Sequence, residues 1–392
     1  MPSVNHQISG TLLKQIVYII VVTRKLPIPY LYLAHAIEAL GGSFAAMLAA
    51  IFSVTSDLTQ SGIGRSRWIA FMEAVQTLSA TGGQIYTAQW MRFSYLSPLI
   101  CALGSCCVTF LLATFLLPET QRDVSGSDSS QSENESYEAR VVSCRQWVLQ
   151  VGRQCWKTIR TSVSIYTKND TGSEISTTQP NNLFKRRLCM AIFVCTVAVN
   201  FSRPGVEALF QIKYPLCWAA TKVYTFTGLR IFFSWVAILC ALFLVQRVFN
   251  MADRHVAIIG VISSLLSNAA LSLAVNDAMV YEAAVIGFMT RSIIPMLRST
   301  LSSLVAYSNQ GAMYSSLSCV ESLGAGVFST AANRIYYSTL SSWAGEIFMI
   351  FACIMGIALT LIVILNIIFV RDARRNDNNL RQAGNIQENT PS

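Results

Sequence analysis

Charge is what this chain has least of: only 12% of its 392 residues are Asp, Glu, Lys or Arg, against 53% hydrophobic residues and a mean hydropathy of +0.47. Too few polar groups are left to coat a water-soluble fold of this size, so the chain needs a bilayer. Histidine is equally scarce, with three in total, and no H-E-x-x-H, paired-histidine cluster or G-x-S-x-G occurs. That excludes the common metal-hydrolase and serine-hydrolase constellations and points away from an enzyme, and no cofactor or metal is expected. The eleven cysteines contain no C-x-x-C pair, and Cys101, Cys106, Cys107 and Cys353 fall in apolar runs, so neither a disulfide scaffold nor a zinc site follows. No secretory signal is expected either. The first ten residues are polar, and TLLKQIVYIIVV after them lacks an A-x-A cleavage site and reads as a stub helix.

What is abundant is long uncharged sequence. Ile347 to Val370 and Tyr95 to Leu117 each run without a charge, and each exceeds the roughly 20 residues that cross a hydrocarbon core. Candidate spans fall near 11–23, 30–54, 68–88, 95–117, 187–209, 223–245, 256–275, 279–305, 312–333 and 347–370, which makes ten helices grouped four and six. Residues 1–117 form a partial N-terminal bundle in this reading, 187–370 a six-helix bundle and 371–392 a tail. Between the bundles, 118–186 holds VSGSDSSQSENESYE and TKNDTGSEISTTQPNN and is expected to be a mostly disordered loop.

If the helices alternate, Arg65, Arg67, Lys185–Arg187, Arg247, Arg254 and Arg371–Arg375 share one side, expected to be the cytoplasm together with both termini and the long loop. The sequons at Asn134 and Asn169 then face the wrong compartment for glycosylation. The net charge of +9 is accounted for by loops facing anionic lipid, with no nucleic-acid partner required.

Several strings are more specific than helix counting. AIEALGGSF (Ala36–Phe44), SDLTQSGIGRSRWIAFMEA (Ser56–Ala74) and GGQIYTAQW (Gly82–Trp90) are followed in the second half by FQIKYPLCW (Phe210–Trp218), MLRSTLSSLV (Met296–Val305) and QGAMYSSLSCVESLGA (Gln310–Ala325). Together they resemble the proton-coupled folate transporter and thymic stromal cotransporter family, a branch of the major facilitator superfamily, from about residue 25 to 370 outside the central loop. The resemblance implies an all-α membrane protein that moves small organic anions with protons by alternating access. The family has twelve helices in two halves. Aligning the central loops makes the first four spans here equivalent to the third to sixth, so this sequence is expected to be truncated at its N-terminus relative to twelve. A non-transporting membrane protein that binds a partner, senses a ligand or is inactive is the alternative.

Ionisable groups at membrane depth are costly, so those that remain are the functional candidates. Glu73 stands where the resemblance places a carboxylate tied to proton coupling, and a salt bridge to Arg67 is an equal alternative. Asp57, Arg65 and Arg67, before and at the start of the same span, are the expected cytoplasmic gate. Arg291 and Arg298 lie seven residues apart and hence on nearly one face, suited to a substrate carboxylate. Exposure of Arg298 to the cavity is favoured over its pairing with Glu321, itself a candidate in proton coupling. His35 and Glu38 at i and i+3 form a possible proton-transfer pair, although lining the wet outer mouth is the favoured reading. Asn200, Arg203 and Glu207 mark the outer half of their span, where Pro204 bends the backbone. Asn200 occupies a position at which the folate-transporting members have histidine, and Asn does not titrate. The partners expected are therefore an organic anion, protons and lipid.

Overall fold

The computed structural model describes residues 2–27, 29–41, 47, 51, 63–91, 93–94, 96–116, 160, 164–167, 182–213, 215–240, 253–305 and 309–388. The regular elements among them are all helical, the arrangement a bilayer favours because a helix satisfies its backbone N–H and C=O groups within one segment. In chain order they are α1 (Pro2–Arg24), α2 (Pro29–Gly41), α3 (Ile63–Trp90), α4 (Leu96–Leu116), α5 (Asn182–Ile212), α6 (Ala220–Cys240), α7 (Asp253–Ser272) and α8 (Asp277–Ile286). A 3-10 turn, Phe288–Ser292, leads into α9 (Ile293–Ser303). After it come α10 (Gln310–Leu323), a π turn at Gly324–Phe328, α11 (Ser329–Thr339) and α12 (Glu346–Glu388).

Six of the described helical stretches are long and apolar enough to cross a membrane: α4, α5, α6, α7, the α8–α9 unit and α12. On α4 the large side chains Ile100, Val108, Leu111, Leu112 and Phe115 are all exposed. Water would penalise such a surface, whereas lipid tails are as apolar as the side chains themselves. The first four helices contact one another mainly through α1, which lies against α2 and α4, while α3 packs along α6 and touches α9. From Asn182 onward, α5 is the common support for α12, α11, α9 and the π turn, and α7 fits against α12, α8 and α9. Ile192, Phe193, Val197 and Val206 of α5 meet an apolar core that includes Phe348, Met355 and Ile362 of α12. Phe210 and Phe348 stand edge to face at 5.3 Å between ring centroids.

Polar groups tie one end of this bundle. The fully buried Lys185 of α5 pairs with Asp372 of α12 at 2.7 Å, and Arg254 of α7 donates to Asn366 at 2.8 Å. Both cations lie over the Phe369 ring, at 4.6 and 5.1 Å from its centroid. Ser299 of α9 donates to Asp253 of α7.

Several expected boundaries shift. The first helix begins at Pro2 rather than near residue 11, since proline at the first helical position gives up only an N–H that has no partner there anyway. The span expected at 279–305 is interrupted by the 3-10 turn, and the span at 312–333 extends from Gln310 to Thr339 with a π turn inside it. The tail continues α12 to Glu388, a helix of 43 residues, or about 65 Å against a hydrocarbon core of about 30 Å.

Within the central segment, Ser164–Thr167 form a helical turn docked on the bundle. Ile165 is buried, the Tyr166 hydroxyl and the Ser316 hydroxyl of α10 are 3.0 Å apart, and Arg187 donates to the Tyr166 carbonyl at 2.6 Å. Two adjacent apolar residues suffice for such an anchor although no periodicity announces it. Burial pushes the Tyr166 phenol up to about 12.

Candidate anion-binding cleft

Two departures from regular helix, at Pro204 and at Gly287, border one cleft in the second bundle. Pro204 interrupts α5 and has no N–H to give to the Asn200 carbonyl one turn back. The chain leaves α8 at Gly287 and tightens into the 3-10 turn. A Cβ at Gly287 would come within 2.5 Å of the Ser267 hydroxyl on α7, so only glycine allows the two helices to approach this closely. The result is a small cleft of about 40 Å3, open at its mouth.

Its polar lining is Asn200 and Arg203 from α5, Arg230 and Ser234 from α6, Ser267 from α7, and Thr290 and Arg291 from the 3-10 turn. Arg203 donates from Nε to Oε2 of Glu207 at 3.0 Å, and Arg230 donates from Nη1 to that same oxygen. Glu207, only 3% exposed, therefore braces two guanidiniums from behind. Each guanidinium carries five N–H donors, so most of those donors are left for other partners. The Thr290 hydroxyl oxygen is buried with no hydrogen-bond partner among the described residues, although it borders the cleft. The wall thus offers positive charge and unspent donors, the chemistry that receives an oxyanion.

This arrangement sits on a fold found in known transporters. The human organic anion transporter superposes with a TM-score of 0.66 at 12% identity, covering 92% of this chain and 76% of that one. A proton:xylose symporter superposes with 0.59 at 12% identity, covering 92% and 78%. Sequence comparison is more specific. The proton-coupled folate transporter of Rattus norvegicus is 28% identical over 91% of this chain and 70% of its own length. The protein of that name from Bos taurus is 27% identical over the same shares. The chain is a homologue of the proton-coupled folate transporters, with the major facilitator fold. A lysosomal proton-coupled steroid conjugate and bile acid symporter of Rattus norvegicus is 29% identical over 44% of this chain and 38% of its own length. No family model matches.

Within this homologue of the folate transporters the expected site residues part company. Asn200 and Arg291 come together in the cleft. Arg298 does not join them: it is 4% exposed and bonded to Glu321 of α10, itself 3% exposed. This corrects the expectation of cavity exposure for Arg298 and of two guanidiniums acting from one face. Seven residues advance the chain by about 10 Å along the axis, which carries Arg298 past the cleft into a layer where a desolvated carboxylate requires a cation. Glu321 is accordingly an ion-pair partner in this state.

His35 and Glu38 are neighbours as expected, 3.5 Å apart, but each has a further partner on α1. Lys14 pairs with Glu38 at 2.7 Å, and the Tyr18 hydroxyl is 2.7 Å from His35 Nε2. Arg65, Arg67 and Glu73 belong to α3, with side chains outside the described residues, and Asp57 lies outside them altogether. Arg230 is the residue that sequence reasoning passed over. Its signal was present: α6 runs from Ala220 to Cys240 with Lys222 near one end and Arg230, at its centre, as its only other charge, the depth at which an ionisable group is most costly and most informative.

Proposed function

We propose that this protein is a secondary transporter that carries small organic anions across the membrane together with protons, and that the cleft of Arg203, Arg230 and Arg291 receives the anionic group. The observation that carries the reading is the wall of three guanidiniums in the middle of a membrane bundle, where charge is retained only at a cost that a ligand or partner must offset. The names of the relatives supply the substrate class, folates and steroid conjugates, both of which include organic anions. Asn200 and Thr290 add neutral hydrogen-bonding groups that orient the substrate, and a proton gradient acts through a carboxylate at membrane depth. The rocking of one bundle against the other passes through the contact of α3 with α6, so movement of the first bundle bears on the helix that holds Arg230.

The test is uptake of radiolabelled folate and of a sulfated steroid by the full chain in proteoliposomes with an imposed pH gradient. Arg230→Gln is expected to lower uptake of the transported anion at least about tenfold, equivalent to about 1.4 kcal/mol. Arg230→Lys recovers part of it, because a point charge replaces the planar fork. Uptake by Arg230→Gln equal to the unmodified protein, at equal reconstituted amounts, overturns the cleft as the anion site.

A further inference from the structure

We infer that Glu207 is the counter-ion that a substrate oxyanion replaces, and that proton uptake by Glu207 on this replacement is the step that couples the two fluxes. The inference rests on the transport reading above and adds to it the identity of the coupling group. Three features of the cleft carry it.

First, Arg203 and Arg230 converge on one oxygen of one carboxylate, so the two guanidiniums are compensated by a single negative charge held inside the bundle. Second, Arg203 uses Nε and Arg230 uses Nη1 for that purpose, and both residues also line the cleft. An entering carboxylate or sulfate can therefore reach each donor fork from the cleft and compete with Glu207 for it. Third, the cleft has a buried, unpartnered hydroxyl at Thr290 and an amide at Asn200, which can complete the coordination of an oxyanion held between Arg203 and Arg230.

Competition for the two guanidiniums then forces a choice. With the cleft empty, both bond to the Glu207 carboxylate. Once an oxyanion has taken those donors, Glu207, 3% exposed, is a desolvated carboxylate without the bonds that keep it ionised, and it takes up a proton. A proton drawn from the aqueous side through which the substrate enters, and bound on the Glu207 carboxylate, restores the original balance of two positive charges to one negative. On release of substrate to the other side the proton leaves and Glu207 re-forms its bonds to both arginines. Substrate and proton therefore favour each other's binding by the same factor.

The charged groups around Glu207 leave this exchange to the triad. Arg203 faces it from its own helix, Arg230 from α6, and Arg291 lies across the cleft on the 3-10 turn. Among the other helices packed on α5, α12 has no charge between Ile347 and Val370. Arg298 of α9 and Glu321 of α10 bond to each other, and Arg334 of α11 is exposed.

The experiment measures the proton-to-folate ratio in proteoliposomes, with a pH-sensitive dye and radiolabelled folate read together, and repeats it with a sulfated steroid. In Glu207→Gln the ratio is expected to fall about tenfold whatever happens to the rate, and acidification from about pH 7.5 to about pH 5.5 should no longer tighten folate binding to the purified protein, against a gain of up to about a hundredfold in the unmodified chain. The double variant Glu207→Gln with Arg203→Gln keeps the net charge of the triad, so it tests the same loss should the single variant fail to fold. Calorimetric proton uptake on folate binding to the unmodified chain, compared in two buffers, needs no variant at all. An unchanged proton-to-folate ratio in either variant, or no proton taken up on binding by the unmodified chain, overturns the role of Glu207 and returns coupling to Glu73. Absence of folate and sulfated-steroid uptake by the unmodified chain overturns the transport reading itself.

Discussion

Two arginine–glutamate systems lie in the second bundle, and they differ in one respect that decides their roles. Arg298 and Glu321 are sealed against each other between α9 and α10, at 4% and 3% exposure. Arg203, Glu207 and Arg230 use the same chemistry, but the guanidiniums also border a cleft. Neither residue of the sealed pair lines the cleft, so the pair contributes to which helices pack together rather than to what binds. A pair beside a cleft retains donors that a ligand can reach. Depth in the membrane marks both systems as unusual, and accessibility tells them apart.

The largest effect should come from splitting the sealed pair. Arg298→Leu alone leaves Glu321 without its bonded cation and is expected to cost about 3–5 kcal/mol, read as loss of folded protein by size-exclusion elution and thermal unfolding. Arg298→Leu combined with Glu321→Leu should recover most of that stability. A stable single variant with lost transport would break the comparison and place Arg298 in the anion path after all.

A smaller effect isolates space from charge. Gly287→Val drives a branched side chain at Ser267 and into the cleft, with an expected penalty of about 1–3 kcal/mol. Folate uptake should fall further than thermal stability does, and uptake that merely tracks stability would show that the cleft volume is not used.

The smallest effect concerns the docked turn beside α10. Tyr166→Phe removes the contact with Ser316 and should lower stability by about 1 kcal/mol. Because the phenol rises from 10 to about 12 in the folded chain, its contribution is complete below pH 10 and is lost as the pH rises through about 12. A thermal shift series across that range, compared with Tyr166→Phe, reads it directly. It sharpens the contrast by asking how much of the α10 end is held by a neutral bond instead of by Arg298 and Glu321.

How much was legible in advance can be argued from these residues. Helix positions were, because an uncharged run such as Ile347–Val370 has few stable alternatives to spanning a bilayer, and the family was legible from strings such as YPLCW and LRSTLS. The partner of Arg298 was visible as one of two alternatives, and sequence favoured the other one. Periodicity reports the face on which a side chain stands and not how far along the axis a cavity extends. Arg230 was overlooked although its central place in α6 was readable. Its link to Glu207 was not, since the two are 23 residues apart and joined by a hydrogen bond between helices. The docking of Ile165 and Tyr166 was hidden for the same reason: two apolar residues in a polar segment have no period.

The sequence by itself determined that this is a multi-pass helical membrane protein, because hydropathy and span length depend on composition along the chain and not on what packs against what, and the likeness of strings such as YPLCW to a transporter family added the transporter type. Only the tertiary structure decided which buried charges face a cleft and which face each other. That outcome depends on where Pro204, Gly287 and the 3-10 turn interrupt regular helix, and on which helix ends up alongside the interruption.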